Sequence, residues 1–322
     1  MRNKFIVILL SLFMISCMEN SKNTNPNKPS EIITISSNFI FENDSYGKQY
    51  IINTDNINVN LNGKSIDNNG EYASFIINAS NVTIRNGMMK GTGFETGIYL
   101  SSCVSINDVE PLNTQGFNYE KTIYNRCDTN TTIDNIKFDN LRTGIYVADY
   151  NYSNKIINNK FSNIDRMAIY LSPGSYNNSI KNNSFVNIGY RHIESYGRPR
   201  GSISFDSSYG NIVANNYFKS NPKWVNTFSK EYRVPELEFY RNCGETTFGD
   251  IPLPRLHGAD SNKIINNTFE QVGLVAWFKY RDHHNICSNV IYADKSDNNS
   301  ITGSKLINIG DFVYDEGTNN IW

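Results

Sequence analysis

Five short segments of the sequence can be aligned, and three of them carry arginine at the first position while three carry tyrosine at the fifth. They are ETGIYLSS from Glu95, RTGIYVAD from Arg142, RMAIYLSP from Arg166, RGSISFDS from Arg200 and GLVAWFKY from Gly273. Because side chains alternate across a β-strand, one set of positions should face a core and the other should face out. The inward set is apolar and comprises Ile98, Ile145, Ile169, Ile203 and Ala276, with Leu100, Val147, Leu171, Phe205 and Phe278.

The outward set forms four columns, which are charged, small, mostly aromatic and polar. In that order they are Glu95, Arg142, Arg166, Arg200; Gly97, Gly144, Ala168, Ser202; Tyr99, Tyr146, Tyr170, Ser204, Trp277; and Ser101, Ala148, Ser172, Asp206, Lys279. Guanidinium groups pair with carboxylates through two parallel hydrogen bonds, and aromatic rings pack on the C–H faces of sugars. The columns therefore predict a shallow strip that binds an acidic polysaccharide. Its predicted binding residues are Arg142, Arg166, Tyr99, Tyr146, Tyr170, Trp277 and Arg281. In the simpler alternative, the tyrosines only pack on one another and the arginines form solvated ion pairs.

The aromatic column is interrupted at Ser204, and this gap is where catalysis is expected. Removal of the proton beside a uronate carboxylate requires a group that neutralises the carboxylate, a base, and an acid for the leaving oxygen. Arg166 or Arg200 could neutralise the carboxylate, Lys279 or His192 could be the base, and Tyr170 or Arg281 could serve the leaving group. The predicted catalytic residues are Arg200, Lys279, His192 and Asp206. The alternative is that Lys279 and Asp206 form an exposed ion pair on neighbouring segments.

No metal or cofactor is predicted. Ca²⁺ held by Asp149 and Asp206 is the alternative, but two aspartates without a closely spaced loop are more often surface residues. The adjacent His283 and His284 would face opposite sides of a strand, and no zinc-ligand spacing accompanies them.

A nine-residue repeat precedes most of these segments and sets their positions. The copies, called heads here, are NVTIRNGMM from Asn81, NTTIDNIKF from Asn130, SNKIINNKF from Ser153, NNSIKNNSF from Asn177, GNIVANNYF from Gly210, SNKIINNTF from Ser261 and NNSITGSKL from Asn298. Ile156 and Ile180 occupy the same position of two heads and are 24 residues apart. A unit of this size can bury its apolar residues only against its neighbours, which predicts a solenoid with one coil per repeat.

Two columns within the heads predict how the coils stack. The sixth position reads Asn86, Asn135, Asn158, Asn182, Asn215, Asn266, and asparagine accepts left-handed backbone angles at tight bends and can bond a stacked neighbour. The ninth position is apolar and should stack in the core: it reads Met89, Phe138, Phe161, Phe185, Phe218, Phe269, Leu306.

The heads resemble those of the right-handed parallel β-helix family, which includes pectate-lyase-like enzymes, polyuronate epimerases and non-catalytic periplasmic proteins. The resemblance extends from about Ile33 to the C-terminus. It implies an all-β chain folded as a single-stranded right-handed parallel β-helix, with a polysaccharide cleft on its strand face. A lyase acting by β-elimination is the leading interpretation. A non-catalytic glycan- or protein-binding β-helix is the alternative, and a scaffold for metalloenzyme assembly is a third. The Asp-Pro-His signature of mannuronan C5-epimerases is absent, which disfavours an epimerase.

The N-terminus predicts export with a lipid anchor. Arg2 and Lys4 precede an apolar run from Phe5 to Ile15 and then Ser16 and Cys17, which resembles a bacterial lipoprotein cleavage site. Cys17 would become the lipidated residue, which places the protein in the cell envelope, either periplasmic or at the surface. A plain secretory signal is the alternative. The predicted organisation is a signal peptide over 1–17, a flexible tether over 18–32 and a β-helix over 33–322, with insertions at about 104–129 and 220–259.

Charge and cysteine content limit the expected partners and compartment. Lys and Arg total 30 against 31 Asp and Glu, so the net charge of −1 offers no general attraction to nucleic acid. A monomer is expected. Beyond Cys17 the four cysteines suggest two disulfides in an exported chain, with Cys103–Cys127 and Cys243–Cys287 as the favoured pairs and free thiols as the alternative.

Overall fold

The computed structural model describes residues 28–70, 72–101, 130–149, 151–172, 174–189, 200–220, 235–240, 259–278 and 296–322. Within these ranges the regular structure consists of β-strands. The strands are β1 Glu31–Ile35, β2 Phe39–Ile40, β3 Ser45–Tyr46, β4 Lys48–Ile52, β5 Asn58–Asn60, β6 Ser65–Asp67, β7 Ala73–Ile77, β8 Thr83–Lys90, β9 Thr96–Leu100, β10 Thr132–Asp139, β11 Thr143–Val147, β12 Lys155–Ile157, β13 Lys160–Ser162, β14 Met167–Leu171, β15 Ser179–Lys181, β16 Ser184–Val186, β17 Ile203–Asp206, β18 Ile212–Ala214, β19 Tyr217–Lys219, β20 Pro235–Tyr240, β21 Lys263–Ile265, β22 Thr268–Glu270, β23 Leu274–Phe278, β24 Ser300–Thr302, β25 Lys305–Ile307 and β26 Asp311–Asp315. No helix among the described residues is long and apolar enough to cross a membrane.

The strands form two long parallel sheets. The front sheet has 10 strands in the order β1-β4-β7-β9-β11-β14-β17-β20-β23-β26, and the rear sheet has 16 strands contributed by the heads and the opening coils. Each strand pairs with the corresponding strand of the next coil, for example β11 with β14 and β12 with β15. This pattern is a parallel solenoid with one front strand per coil, as the repeat predicts.

Register within the heads confirms the predicted stacking. Ile156 lies opposite Ile180, and Phe161 lies opposite Phe185. The rings of Phe138 and Phe161 stack with centroids 4.7 Å apart, and those of Phe161 and Phe185 with centroids 5.0 Å apart. These fully or almost fully buried rings form the predicted core column, although Leu306, predicted to continue it, is 40% exposed.

The asparagines at the sixth and seventh positions of the heads have different structural roles. The sixth-position residues have left-handed φ angles, for example 57° at Asn182 and 56° at Asn215, which confirms the prediction. The seventh-position residues form a buried ladder that the sequence analysis missed. Asn183 Oδ1 accepts the backbone N–H of Asn159 at 2.8 Å and its side-chain amide at 3.1 Å, and Asn216 accepts from Asn183 at the same distances.

A second buried ladder runs through the second position of the heads. Its members are Asn154, Asn178, Asn211, Asn262 and Asn299, and it continues to Asn320. In each step the later residue's Oδ1 accepts both the backbone N–H and the side-chain amide of the earlier one. The two ladders satisfy polar groups that would be costly to bury unpaired.

The front strands supply the other wall of the core. The predicted inward residues Ile98, Ile145, Ile169, Ile203 and Ala276, and Leu100, Val147, Leu171, Phe205 and Phe278, are fully buried.

A strand inside the predicted 220–259 insertion changes the alignment of the front sheet. β20 pairs with β17 on one side and with β23 on the other. Its Leu237 and Phe239 join the core, and the Phe239 ring stacks on that of Phe205 with centroids 4.3 Å apart. β20 therefore adds a rung to the front sheet, and the rest of the predicted insertion, 221–234 and 241–258, lies outside the described residues. The 104–129 insertion also lies outside them.

Candidate functional site

The aromatic column of the predicted strip consists of rings with one polar interruption. In register it reads Tyr99, Tyr146, Tyr170, Ser204, Glu238, Trp277, Tyr314. The Tyr99 and Tyr146 rings have centroids 5.1 Å apart, and the Tyr146 and Tyr170 rings 4.8 Å apart. All three rings are half-buried, so part of each stays open to solvent.

The interruption is two coils wide, which corrects the sequence alignment. Ser204 lies opposite Glu238 and not opposite Trp277. Likewise Asp206 lies opposite Tyr240, and the predicted neighbour of Asp206, Lys279, lies outside the described residues. The error arises because the alignment assigns no front strand to the head from Gly210. The alternation PELEFY is the signal that could have supplied one.

The small residues do not form the floor of the strip. A Cβ added to Gly97 would lie 2.9 Å from ring atoms of Phe138, and one added to Gly144 would lie 2.8 Å from ring atoms of Phe161. Ala168 belongs to the hydrophobic core. At these positions two successive residues face inward, so strict alternation fails and the core rings require a small neighbour.

The first outward column contains three arginines but not Glu95. Glu95 is fully buried, and its carboxylate accepts the backbone N–H groups of Thr92, Gly93 and Phe94 at 2.9 Å. The Glu95 carboxylate therefore stabilises the turn that immediately precedes it in the chain. Arg142 and Arg166 are half-buried and stack in register, since the Arg166 N–H donates to the Arg142 carbonyl at 2.9 Å.

Hydroxyl groups on the strip pair with carboxylates at its edge. Tyr170 Oη donates to Asp206 Oδ2 at 2.5 Å, and Ser172 Oγ donates to Asp149 Oδ1. Burial and then the charge of Asp149 hold the pKa of the Tyr146 phenol well above its usual range, although Ser172 and the charge of Arg166 partly oppose this. Tyr146 therefore stays in its phenol form at neutral pH and can donate a hydrogen bond, but it gives up its proton less readily than a free tyrosine.

The interruption of the strip holds a buried ion pair. Glu238 is fully buried and accepts from Ser204 Oγ at 3.3 Å. Arg200 Nη1 lies 3.8 Å from Glu238 Oε2, and the Arg200 side chain is 11% exposed. Arg200, predicted to be catalytic, thus pairs with a carboxylate that the sequence analysis did not single out.

Glu236 lies on the same strand as Glu238, but its side chain faces the interior of the β-helix. It is buried, and its two oxygens accept from the hydroxyls of Ser202 and Ser220. Burial raises the pKa of the Glu236 carboxyl, while the two hydroxyl bonds partly offset that rise. Glu236 occupies the position that is Gly97, Gly144 and Ala168 on earlier coils.

Several predicted residues lie outside the described residues, and their roles stay predictions. They are His192, Lys279, Arg281 and the cysteines Cys17, Cys103, Cys127, Cys243 and Cys287. Within the described ranges, no three or more His, Cys, Asp or Glu side chains are grouped so as to hold a metal ion. Asp149 and Asp206, the calcium alternative, are two coils apart and bond Ser172 and Tyr170.

Comparisons with known proteins identify the fold. The family model described as Right handed beta helix region matches residues 90–243. The A-module of the Azotobacter vinelandii mannuronan C-5 epimerase AlgE6 is 13% identical, with a TM-score of 0.50 over 86% of this chain and 64% of that chain. An alginate lyase from Paenibacillus sp. str. FPU-7 is 11% identical, with a TM-score of 0.38 over 88% of this chain and 98% of that one. No curated protein sequence matches the chain. The protein is a right-handed parallel β-helix that spans about two thirds of the epimerase module.

Proposed function

We propose that this right-handed parallel β-helix binds an acidic polysaccharide along the strip and cleaves it by β-elimination. One observation carries the proposal. Three tyrosine rings in contact on successive coils run beside Arg142 and Arg166, and they end where a tyrosine hydroxyl bonds a buried carboxylate, at Tyr170 and Asp206.

The strip fits a glycan chain in spacing and chemistry. Coils of a parallel sheet repeat about every 4.8 Å, so successive rings can contact successive parts of an extended sugar chain. Sugar C–H faces pack on the half-buried rings, and uronate carboxylates pair with the guanidinium groups of Arg142 and Arg166.

The proposed β-elimination assigns a separate role to each polar residue along the strip. In β-elimination a base removes the C5 proton, a C4–C5 double bond forms, and the bond from C4 to the glycosidic oxygen breaks. Arg166 would neutralise the uronate carboxylate and so make the C5 proton more acidic. Tyr146 would donate a hydrogen bond to the leaving oxygen as negative charge develops there, and Tyr170 and Arg281 are the candidates for the acid that protonates it. Lys279 and His192 are the candidates for the base.

The name of one structural relative supports a polyuronate as the substrate class. The AlgE6 module is a mannuronan epimerase, and proton removal beside a uronate carboxylate is the first step of both epimerisation and elimination. The low identity gives this support only to the substrate class.

Hydrolysis is the second candidate. Asp206 and Glu238 are buried carboxylates on neighbouring coils at the interruption of the strip, and many glycosidases use two carboxylates on either side of the bond they cleave.

A panel of polyuronates and sulfated glycans separates these possibilities. A lyase generates ultraviolet absorbance from the unsaturated sugar, whereas a hydrolase generates reducing ends without that absorbance. Binding without either product would contradict both enzymatic proposals and support the non-catalytic alternative.

We also propose that the protein is exported and attached to a membrane through lipid on Cys17. The Cys17→Ala variant should leave the membrane fraction, as measured by fractionation of cells that express it. Wild-type membrane retention of this variant would show that the anchor assignment is wrong.

A further inference from the structure

A second stack of tyrosines lies at the corner where the chain leaves the front sheet. Tyr152, Tyr176 and Tyr209 occupy equivalent positions on three successive coils and are joined by isolated parallel bridges. The Tyr152 and Tyr176 rings have centroids 4.9 Å apart, and the Tyr176 and Tyr209 rings 5.3 Å apart, the latter pair only 3° from parallel. This stack is flatter than that of the strip, where the Tyr146 and Tyr170 rings are inclined by 58°.

After Tyr209, the column that contains this second tyrosine stack changes from aromatic to acidic residues. Backbone bonds place Asp260 and then Asp297 at the next two equivalent positions, since the N–H groups of Gly210 and Ser261 donate to their carbonyls. Asp260 Oδ1 accepts the backbone N–H of Asp297 at 2.8 Å, so this carboxylate oxygen is turned toward the later coil. Tyr209 is 40% exposed, whereas Tyr152 and Tyr176 are half-buried.

We infer that the Tyr209 ring, together with Asp260, is a binding site for a neutral sugar residue. A flat phenol ring at the end of a stack suits the C–H face of a pyranose, and hydroxyl groups at the sugar's edge can donate to a carboxylate. The carboxylates of Asp260 and Asp297 would repel a uronate, so charge selects a neutral ring here. The arginines of the strip select the opposite kind of sugar.

This inference does not depend on the proposed cleavage reaction. Tyr209 lies three residues beyond Asp206 on the same coil, so one glycan with both acidic and neutral residues could contact both surfaces. The site would nevertheless bind a neutral chain if the strip proved to have no enzymatic activity.

Calorimetric titration of the full chain with two neutral probes, maltohexaose and cellohexaose, tests the site. At least one probe should bind at millimolar concentration. Tyr209→Ala should weaken that binding roughly three- to tenfold, because stacking on one ring has a modest energy. Tyr209→Phe keeps the ring and should bind nearly as wild type does.

Matched control variants establish whether the loss of affinity is specific to the Tyr209 ring. Tyr46 is 64% exposed and lies outside both stacks, so Tyr46→Ala should leave binding unchanged. Arg166→Gln should also leave it unchanged. If Tyr209→Ala fails to fold, Tyr209→Leu fills the space without a flat ring and should show the same loss.

Three results would overturn the inference. They are no binding of either hexaose by the wild type, equal binding by the wild type and the Tyr209→Ala or Tyr209→Leu variant, and loss of binding in Arg166→Gln. The last would place the neutral chain on the strip.

Discussion

The rear sheet and the strip are built from the same coils but use their repeated positions differently. In the rear sheet, one position is phenylalanine on five coils in succession, from Phe138 to Phe269, and another is a laddered asparagine on four, from Asn159 to Asn267. Along the strip the same kind of column reads tyrosine three times, then serine, glutamate and tryptophan.

The difference shows where a solenoid is free to vary. A rear-sheet residue meets the same neighbours on every coil, so the same side chain is the best solution each time. The ring residues of the strip contact solvent on one side, unlike the buried Ser204 and Glu238, and their identity is limited mainly by what should bind there. Substitutions in the rear sheet should therefore change stability, and those on the strip should change binding.

The largest effect is expected for Phe185→Ala. Phe185 is fully buried between the rings of Phe161 and Phe218, so truncation leaves a cavity and should lower the free energy of unfolding by about 3–5 kcal/mol. Chemical denaturation measures this. Phe94, which is 60% exposed, is the control, and Phe94→Ala should cost less than about 0.5 kcal/mol. Equal losses for the two variants would contradict the proposed role of the stacked column.

Asn183→Ala should have the next largest effect. It removes the acceptor of two Asn159 donors and the side-chain bond that Asn183 donates to Asn216, so a loss of about 2–4 kcal/mol is expected from the unpaired buried groups. The adjacent Asn182 has a left-handed φ of 57°, which glycine adopts readily, so Asn182→Gly is the matched control and should be nearly neutral. Similar unfolding midpoints for the two variants would show that the ladder adds little.

On the strip, Arg166→Gln should affect binding instead. Loss of a charge-assisted pair should weaken the affinity for a polyuronate by about 1.5–3 kcal/mol, and the loss should shrink at high salt. Titration at two salt concentrations measures both quantities. The exposed Arg85 of the rear sheet provides the control variant Arg85→Gln, which should bind normally. Equal affinity of the Arg166 variant and the wild type would remove Arg166 from the site.

Glu236→Gln sharpens the comparison because Glu236 lies on a front strand but faces the interior. Its folded-state pKa is raised above the ordinary 4.5, so the folded protein holds this proton more tightly than the unfolded chain. The associated stability is complete below pH 4.5 and is lost as the pH rises toward the folded pKa, by at most about 1.4 kcal/mol per pH unit. The variant should lack this decline when unfolding is measured across the pH range. Identical pH profiles would mean that Glu236 is not held in its acid form.

Repetition decided which parts of this molecule could be predicted. The heads carry the same residues at the same spacing, so the stacking of Ile156 on Ile180 and the left-handed asparagines followed directly. Glu238 was missed because long segments flank its strand and remove the regular spacing. Gly97 and Gly144 were assigned to the wrong face because alternation fails at one position of each front strand, and Glu95 because its carboxylate folds back onto its own turn. Local backbone geometry, which a residue pattern does not encode, decided the cases of Gly97, Gly144 and Glu95.

Both asparagine ladders have a direction. At each step the backbone N–H and side-chain amide of the earlier coil donate to the Oδ1 of the later coil, from Asn159 to Asn267 and from Asn154 to Asn320. A coil that has just formed therefore exposes a pair of amide donors whose acceptor belongs to the coil that follows. The two ends of the stack are therefore chemically different: a coil added after the last one brings an acceptor to donors already in place, whereas a coil added before the first one brings donors to a waiting acceptor.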